Sequence, residues 1–261
     1  MRICFLNPFG TDDYDRLISD TLSPSLRGAT DLEIRHLEDC PRNIDYYVPK
    51  HLVEVEVIRA SIAAEQDGFD AVVIGCCYDP ALVQVREALT IPAVGPLEAA
   101  ISLAHMFGHR FAVVTDHRKA VPELEDLVRL YGLEPNCRSV SAIDWWIDDM
   151  IGDPEAVARD AVAHCAQVMA RDAAEVVVLG CTIIAACYEQ TRMAGRLDDA
   201  PAIINPNLIA VKVAELLADL AAVGQYQISR SGYYQQHSAH DPSEAAAVLS
   251  LVAPRRGEAD R

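Results

Sequence analysis

Four short stretches of the chain are almost continuously apolar and rich in β-branched residues, at 3–6, 71–74, 111–114 and 176–179. Between them run longer segments whose apolar positions recur at helical spacing, at 54–66, 98–107, 122–131 and 155–171. A strand that is apolar at every position, rather than at every second one, is buried on both faces, as in a parallel sheet covered by helices. The expected class is α/β with doubly wound parallel sheets. A further strand is expected at 139–140 and a last short one at 202–204, before a helix at 207–222. Trp145 and Trp146 fall on a helix face or its approach. After Gly224 the pattern weakens to one helical run at 243–251 and a charged tail from Arg255, which is expected to be mobile.

The strand ends repeat. A strand closing on Leu6-Asn7-Pro8 is followed by one closing on Gly75-Cys76, and a strand closing on Val114-Thr115-Asp116 is followed, at nearly the same separation, by one closing on Gly180-Cys181. Two pseudosymmetric lobes are implied. We expect the first from 1–96 with a returning segment 207–230, the second from 97–206, and a partly mobile C-terminal extension at 231–261. Open α/β sheets build their sites at the carboxyl ends of strands. Two facing lobes would therefore hold Cys76 and Cys181 on opposite walls of one cleft.

Composition removes several function classes. A net charge of −17 with only three lysines, Lys50, Lys119 and Lys212, argues against nucleic acid as partner, because phosphate neutralisation needs a basic patch. No apolar stretch approaches the roughly 18 residues of a membrane span, and the first apolar run is too short for an export signal. We expect a cytoplasmic protein without membrane association, acting on a small molecule; a homo-oligomer is compatible with the sequence. The eight cysteines then read as thiols rather than disulfides. No C-x-x-C pair occurs, and Cys4, Cys40, Cys137 and Cys165 lack histidines at zinc-site spacing, so no metal is expected. Lys50 and Lys119 fall in loop contexts and Lys212 in a helix, none beside a phosphate-binding glycine loop, so pyridoxal phosphate is not expected either.

The two Gly-Cys sequences share one design: a buried strand, a glycine, a cysteine and then a helix start. Glycine lets the backbone turn sharply and approach a ligand. A cysteine at the amino end of a helix has its thiolate stabilised by unpaired N–H groups, which lowers its pKa toward neutrality. The same N–H groups can hold a carboxylate or a developing enolate. One strand-end cysteine is more often simple packing; two in matched contexts point to chemistry. Moving a proton from one face of a planar carbanion to the other needs one acid–base group on each face, and two thiols supply that. Cys77, beside Cys76, should point elsewhere, and Cys187 is expected to be structural. A Cys-His-Asp hydrolase remains open, since such triads are defined by geometry and His105, His109, His117 or His164 could complete one.

At these residues the chain resembles the aspartate/glutamate/hydantoin racemase superfamily, and within it the hydantoin racemase branch. Ile3-Cys4-Phe5-Leu6-Asn7-Pro8 is similar to that branch's strand ending in Asn-Pro, and Gly75-Cys76-Cys77-Tyr78-Asp79-Pro80-Ala81-Leu82 to its Cys-x-x-Asp-Pro-Gly-Leu segment. Pro92-Ala93-Val94-Gly95 resembles its Pro-Val-x-Gly turn, and Gly180-Cys181 its second cysteine. The resemblance covers roughly residues 1–230. It implies a cofactor-independent enzyme in which Cys76 and Cys181 are the acid–base pair, with Asn7, Thr115 and Thr182 as substrate contacts; Phe9, Cys77, Tyr78 and Gly95, from the same strand-end segments, complete the expected contacts. The chain departs from the family pattern at Phe9-Gly10, where Asn-Thr is usual, and at Asp116, which stands where a second hydroxyl residue is usual. Ala81 replaces the common glycine, and Thr182-Ile183-Ile184 differs from the branch's small-residue run.

A substrate with two carboxylates calls for Arg or Lys partners, whereas Thr11-Asp12-Asp13, Cys76-Cys77-Tyr78-Asp79 and Cys181-Thr182-Ile183 are acidic or neutral. His117, Arg118 and Lys119 are the nearby positive charges foreseen. Phe9, Tyr46, Tyr47 and Tyr78 could form an apolar wall. The expected substrate is a 5-substituted hydantoin or similar cyclic ureide. Aspartate, glutamate or allantoin racemisation, a related decarboxylase, and a two-lobed binding protein without chemistry are the alternatives.

Overall fold

The computed structural model describes residues 1–197 and 200–253. The charged tail from Arg255 lies outside the described residues. The first half runs β1 (Arg2–Asn7), α1 (Asp15–Leu22), β2 (Asp31–His36), α2 (Tyr47–Gln66), β3 (Ala71–Ile74), α3 (Leu82–Ala88), β4 (Ala93–Val94) and α4 (Pro96–Ala104). The second runs β5 (Phe111–Thr115), α5 (Val121–Leu130), β6 (Cys137–Ala142), α6 (Ile147–Met150), α7 (Pro154–Asp172), β7 (Val176–Leu179), α8 (Thr182–Met193), β8 (Ile203–Ile204) and α9 (Pro206–Ala222). A short helix, α10 (Pro242–Leu251), follows. Two four-stranded parallel sheets result, in the orders β2-β1-β3-β4 and β6-β5-β7-β8, so each half repeats the topology of the other.

The central strands are buried at every position because both sheet faces are covered, which is what their unbroken apolar sequences require. The edge strand β2, Asp-Leu-Glu-Ile-Arg-His, was not foreseen, since its alternating charges suit a half-exposed edge and hide the strand in a search for apolar runs. It is held in register by β1 and by Arg35, which reaches Asp67 at 2.7 Å and lies over the Phe69 ring. The counterpart edge β6 is longer than the two residues expected. Trp146 is the cap residue that leads into α6.

The helices closing the two halves are exchanged. Leu97, Ala100, Ile101 and Ala104 of α4 pack with Phe111, Val113, Val176 and Val178 of the second sheet. In return α9 lies against β1, β3 and β4 of the first, and the two helices pack on each other. Burying each helix on the other half's sheet fixes the two sheets relative to one another. It also sets the carboxyl ends of β3 and β7 side by side.

Candidate active site

Both glycines before the cysteines are required by neighbouring side chains. A Cβ on Gly75 would run into the Phe5 ring of β1, and one on Gly180 would lie 2.7 Å from Val113 Cγ1 of β5. Gly75 N–H donates to Leu6 O and Gly180 N–H to Val114 O, each at 2.7 Å, so the two strand ends are built alike. They then diverge. Cys181 directly precedes α8, as the sequence implied, but Cys76 opens a turn in which Asp79 and Ala81 take left-handed backbone, and α3 starts only at Leu82. The left-handed Ala81, φ 57°, stands at the position where the resemblance has glycine, the residue that takes this conformation without Cβ strain.

Cys76 and Cys181, one from each half, line a single cavity with Phe9, Ile44, Asp45, Cys77, Tyr78, Asp116, Ile147, Gly180 and Thr182. It is narrow, with an empty volume of about 280 Å³. A wider groove between α3 and α4, beside Tyr233 and Tyr234, contains neither thiol.

The expected lowering of the thiol pKa values is overturned by burial. Cys76 and Cys181 are 7% and 6% exposed, and desolvation of the thiolate pushes both upward. At Cys76 this is opposed by the Tyr78 N–H, 3.4 Å from the sulfur, and by the charge of Lys50. Lys50 sits in the first turn of α2 rather than in a loop, pairs with Glu123 and lies 4.7 Å from the Tyr78 ring centre. At Cys181 the negative charge of Asp116 adds to the burial, and the N–H groups of Ile183 and Ile184 oppose it.

Of the expected contacts, Phe9, Cys77, Tyr78 and Thr182 line the cavity, and Asn7, Gly95 and Thr115 do not. Asn7 is fully buried and its amide donates to Asp15 Oδ1 at 2.9 Å. Gly95 is packed against Asp79, whose Oδ1 would lie 2.6 Å from an added Cβ. The Thr115 hydroxyl is 3.0 Å from both Asp116 Oδ1 and the Gly180 carbonyl, which ties β5 to β7. Tyr46 and Tyr47 are more than half exposed and Thr11, Asp12 and Asp13 also lie outside the cavity.

Asp79 braces the Cys76 turn. It accepts N–H bonds from Leu97 and Glu98 at the start of α4, at 3.1 and 2.9 Å, and the Tyr131 hydroxyl at 2.8 Å. Burial nevertheless pushes its pKa up to about 7.

Sequence reasoning missed Asp45, Ile44 and Ile147 as cavity residues, and saw Asp116 only as a departure from the family pattern. Asp45 precedes α2 and Asp116 follows β5, so only the fold brings them together. His117 Nε2 lies 3.4 Å from Asp45 Oδ1 and 3.9 Å from Asp116 Oδ1. Burial disfavours the imidazolium, but Asp45 and Asp116 outweigh it and raise the His117 pKa. The Trp146 ring stacks on His117 at 4.4 Å, and Tyr46 on Trp146 at 6.0 Å, which closes the cluster from outside. Among the described residues these three side chains could also hold a cation, their ligating atoms lying within 4.8 Å of one another, a grouping that a search for Cys and His spacing does not find.

Residues 3–214 match the family described as Asp/Glu/Hydantoin racemase. The chain is 30% identical over 217 residues to a hydantoin racemase of Rhizobium meliloti, covering 83% of this chain and 88% of that one. It is 29% identical to a hydantoin racemase of Pseudomonas sp. strain NS671, covering 84% and 87%. Among solved structures, allantoin racemase from Klebsiella pneumoniae superposes with a TM-score of 0.79 at 25% identity, over 90% of this chain and 93% of that one. Allantoin racemase from Pseudomonas fluorescens gives 0.79 at 26% identity, over 90% and 97%.

Proposed function

The chain belongs to the Asp/Glu/hydantoin racemase family and is therefore an isomerase, and within that family we propose a cofactor-independent racemase of 5-substituted hydantoins or similar cyclic ureides that works with Cys76 and Cys181. The observation that carries this reading is that one thiol from each half, each at the carboxyl end of a central strand, faces the same cavity.

The chemistry follows from that arrangement. One sulfur, as thiolate, takes the proton from C5 of the ring, and the C–H electron pair moves into the adjacent carbonyl to give an enolate. The other sulfur, as thiol, delivers its proton to the opposite face while the enolate electrons return to carbon. Thiol and thiolate have then exchanged roles, and the reverse turnover starts from the product arrangement. Two buried neighbouring thiols disfavour a second negative charge, so the pair works with one proton between them. Lys50 and the Tyr78 N–H support the thiolate at Cys76, whereas Asp116 opposes it at Cys181. The N–H groups at the start of α8 are suited to receive enolate charge. A C5 proton beside a carbonyl is acidic enough for a thiolate to remove under such stabilisation.

Allantoin, itself a hydantoin substituted at C5, is the second reading, favoured by the likeness to the two allantoin racemase structures. The test is loss of optical rotation on 5-benzylhydantoin, 5-isobutylhydantoin, allantoin and aspartate, with chelator and hydroxylamine present. Racemisation of a hydantoin under those conditions is the expected result. Preference for aspartate overturns the substrate class and leaves the thiol mechanism standing.

A further inference from the structure

We propose that Asp116 and Asp45 form the acceptor wall that binds the N–H groups of a ureide ring, that His117 positions them, and that the same wall turns away substrates carrying a carboxylate. The proposal deepens the reading of this cavity as a ureide site and rests on it.

Both aspartates line the cavity that holds the two sulfurs, and both side chains are 5% exposed. Asp116 is fixed by its own chain: Oδ1 accepts the His117 N–H at 2.8 Å and faces the Thr115 hydroxyl at 3.0 Å. His117 aims Nε2 between the two carboxylates at distances beyond a good hydrogen bond, and both of its ring nitrogens are buried without a hydrogen-bond partner. The ring nitrogens of His117 thus do not take up the carboxylate oxygens of Asp45 and Asp116, which line the cavity and can accept donors from it. A buried carboxylate is satisfied by donors, and hydrogen bonds to a charged acceptor are stronger than neutral ones. A hydantoin ring offers two N–H donors and no charge.

The sign of the wall gives selectivity. Two carboxyl groups share one imidazole here, and of the nearby cations Lys50 is paired with Glu123 while Lys119 lies over the Tyr47 ring, so the wall presents acceptor oxygens rather than a cation. A substrate carboxylate brought against this wall meets like charge in a poorly solvated space, where repulsion is far larger than in water. His117 touches the aspartates rather than the ring, so it is a positioning residue.

A racemic ligand is already at equilibrium for a racemase, so its binding can be measured by calorimetry on the intact protein. The ligands are racemic 5-benzylhydantoin, its N1-methyl and N3-methyl derivatives, hydantoin-5-acetate and the neutral amide of that acid. We expect methylation of at least one ring nitrogen to weaken binding tenfold or more, and the acetate to bind at least tenfold more weakly than its amide. In Asp116→Asn the acetate-to-amide gap should shrink below threefold, and His117→Gln should raise KM for 5-benzylhydantoin severalfold while leaving kcat within twofold. If Asp116→Asn does not fold, Asp45→Asn takes its place, and the methylated series needs no substitution at all. Equal binding of methylated and unmethylated rings, or an acetate-to-amide ratio unchanged in a folded Asp116→Asn, would overturn the proposal. Turnover of hydantoins with flat binding ratios defeats this inference alone. The expected ratios without turnover defeat the racemase reading alone.

Discussion

The hydroxyl of Thr182 donates to the carbonyl oxygen of Gly75 across 3.0 Å, so the residue after one cysteine of the pair is tied to the residue before the other. The Cys77 thiol makes a similar contact toward the other half, to the Leu179 carbonyl at 3.7 Å, one residue before Gly180. The two residues occupy equivalent places in the repeated halves, and together they hold the two strand ends against each other. Thr182→Val keeps the shape but leaves the buried Gly75 carbonyl without its donor, which should cost about 1–3 kcal/mol. Thr182→Ser should restore most of that loss in urea unfolding. Equal stability of the Val variant and the parent would show that the contact does not hold the halves together.

Asp79 connects the Cys76 turn to α4, a helix that packs on the other half's sheet. Asp79→Ala removes the acceptor for two N–H groups and the Tyr131 hydroxyl, and should cost about 2–4 kcal/mol. Gly95→Ala forces a Cβ against the same carboxylate and should displace the turn. Both variants are expected to lose turnover at least tenfold while Cys187→Ala, deep in α8, changes stability more than turnover. A fully active Gly95→Ala would contradict the role given to this brace.

His117 binds its proton more tightly in the folded chain than its ordinary 6.5, and Asp116 is raised in the same direction by burial. A folded pKa above the unfolded one contributes stability that is complete below the unfolded value and is lost as pH rises through the folded value. The free energy of unfolding should therefore fall as pH rises above 6.5 toward the folded value of His117, while the Asp116 part of the fall begins lower, above its ordinary 3.8. His117→Gln should flatten the His117 part of the profile. An unchanged slope in the variant would mean that the histidine is not held protonated by Asp45 and Asp116.

What could be read in the sequence depended on how local its cause is. Val72, Val73, Val177 and Val178 announce buried parallel strands because every position is apolar, and the matched Gly75-Cys76 and Gly180-Cys181 announce the repeat. The strand Asp31–His36 was hidden, because it is stabilised by Arg2, Asp67 and Phe69 from other elements. Gly75 and Gly180 stand out in the sequence as turn residues, but what requires them is long-range: the space they leave is filled by Phe5 and Val113. A helix start lowers a thiol's pKa, but burial, which only the folded structure supplies, raises both Cys76 and Cys181. Asp45 carried no motif, and it joins Asp116 and His117 only when the loop before α2 folds against the end of β5.

The measurement that bears most directly on the two-thiol account is solvent-deuterium exchange followed enantiomer by enantiomer in Cys76→Ser and Cys181→Ser. With both thiols present, each enantiomer of a hydantoin should exchange its C5 proton as it racemises. Each single variant should lose racemisation by at least a thousandfold, since one face lacks its acid or base. Each should keep exchange at most on the single enantiomer whose proton faces the remaining thiol, and that enantiomer should differ between the two variants. Near-normal racemisation of both enantiomers by either variant would contradict the account.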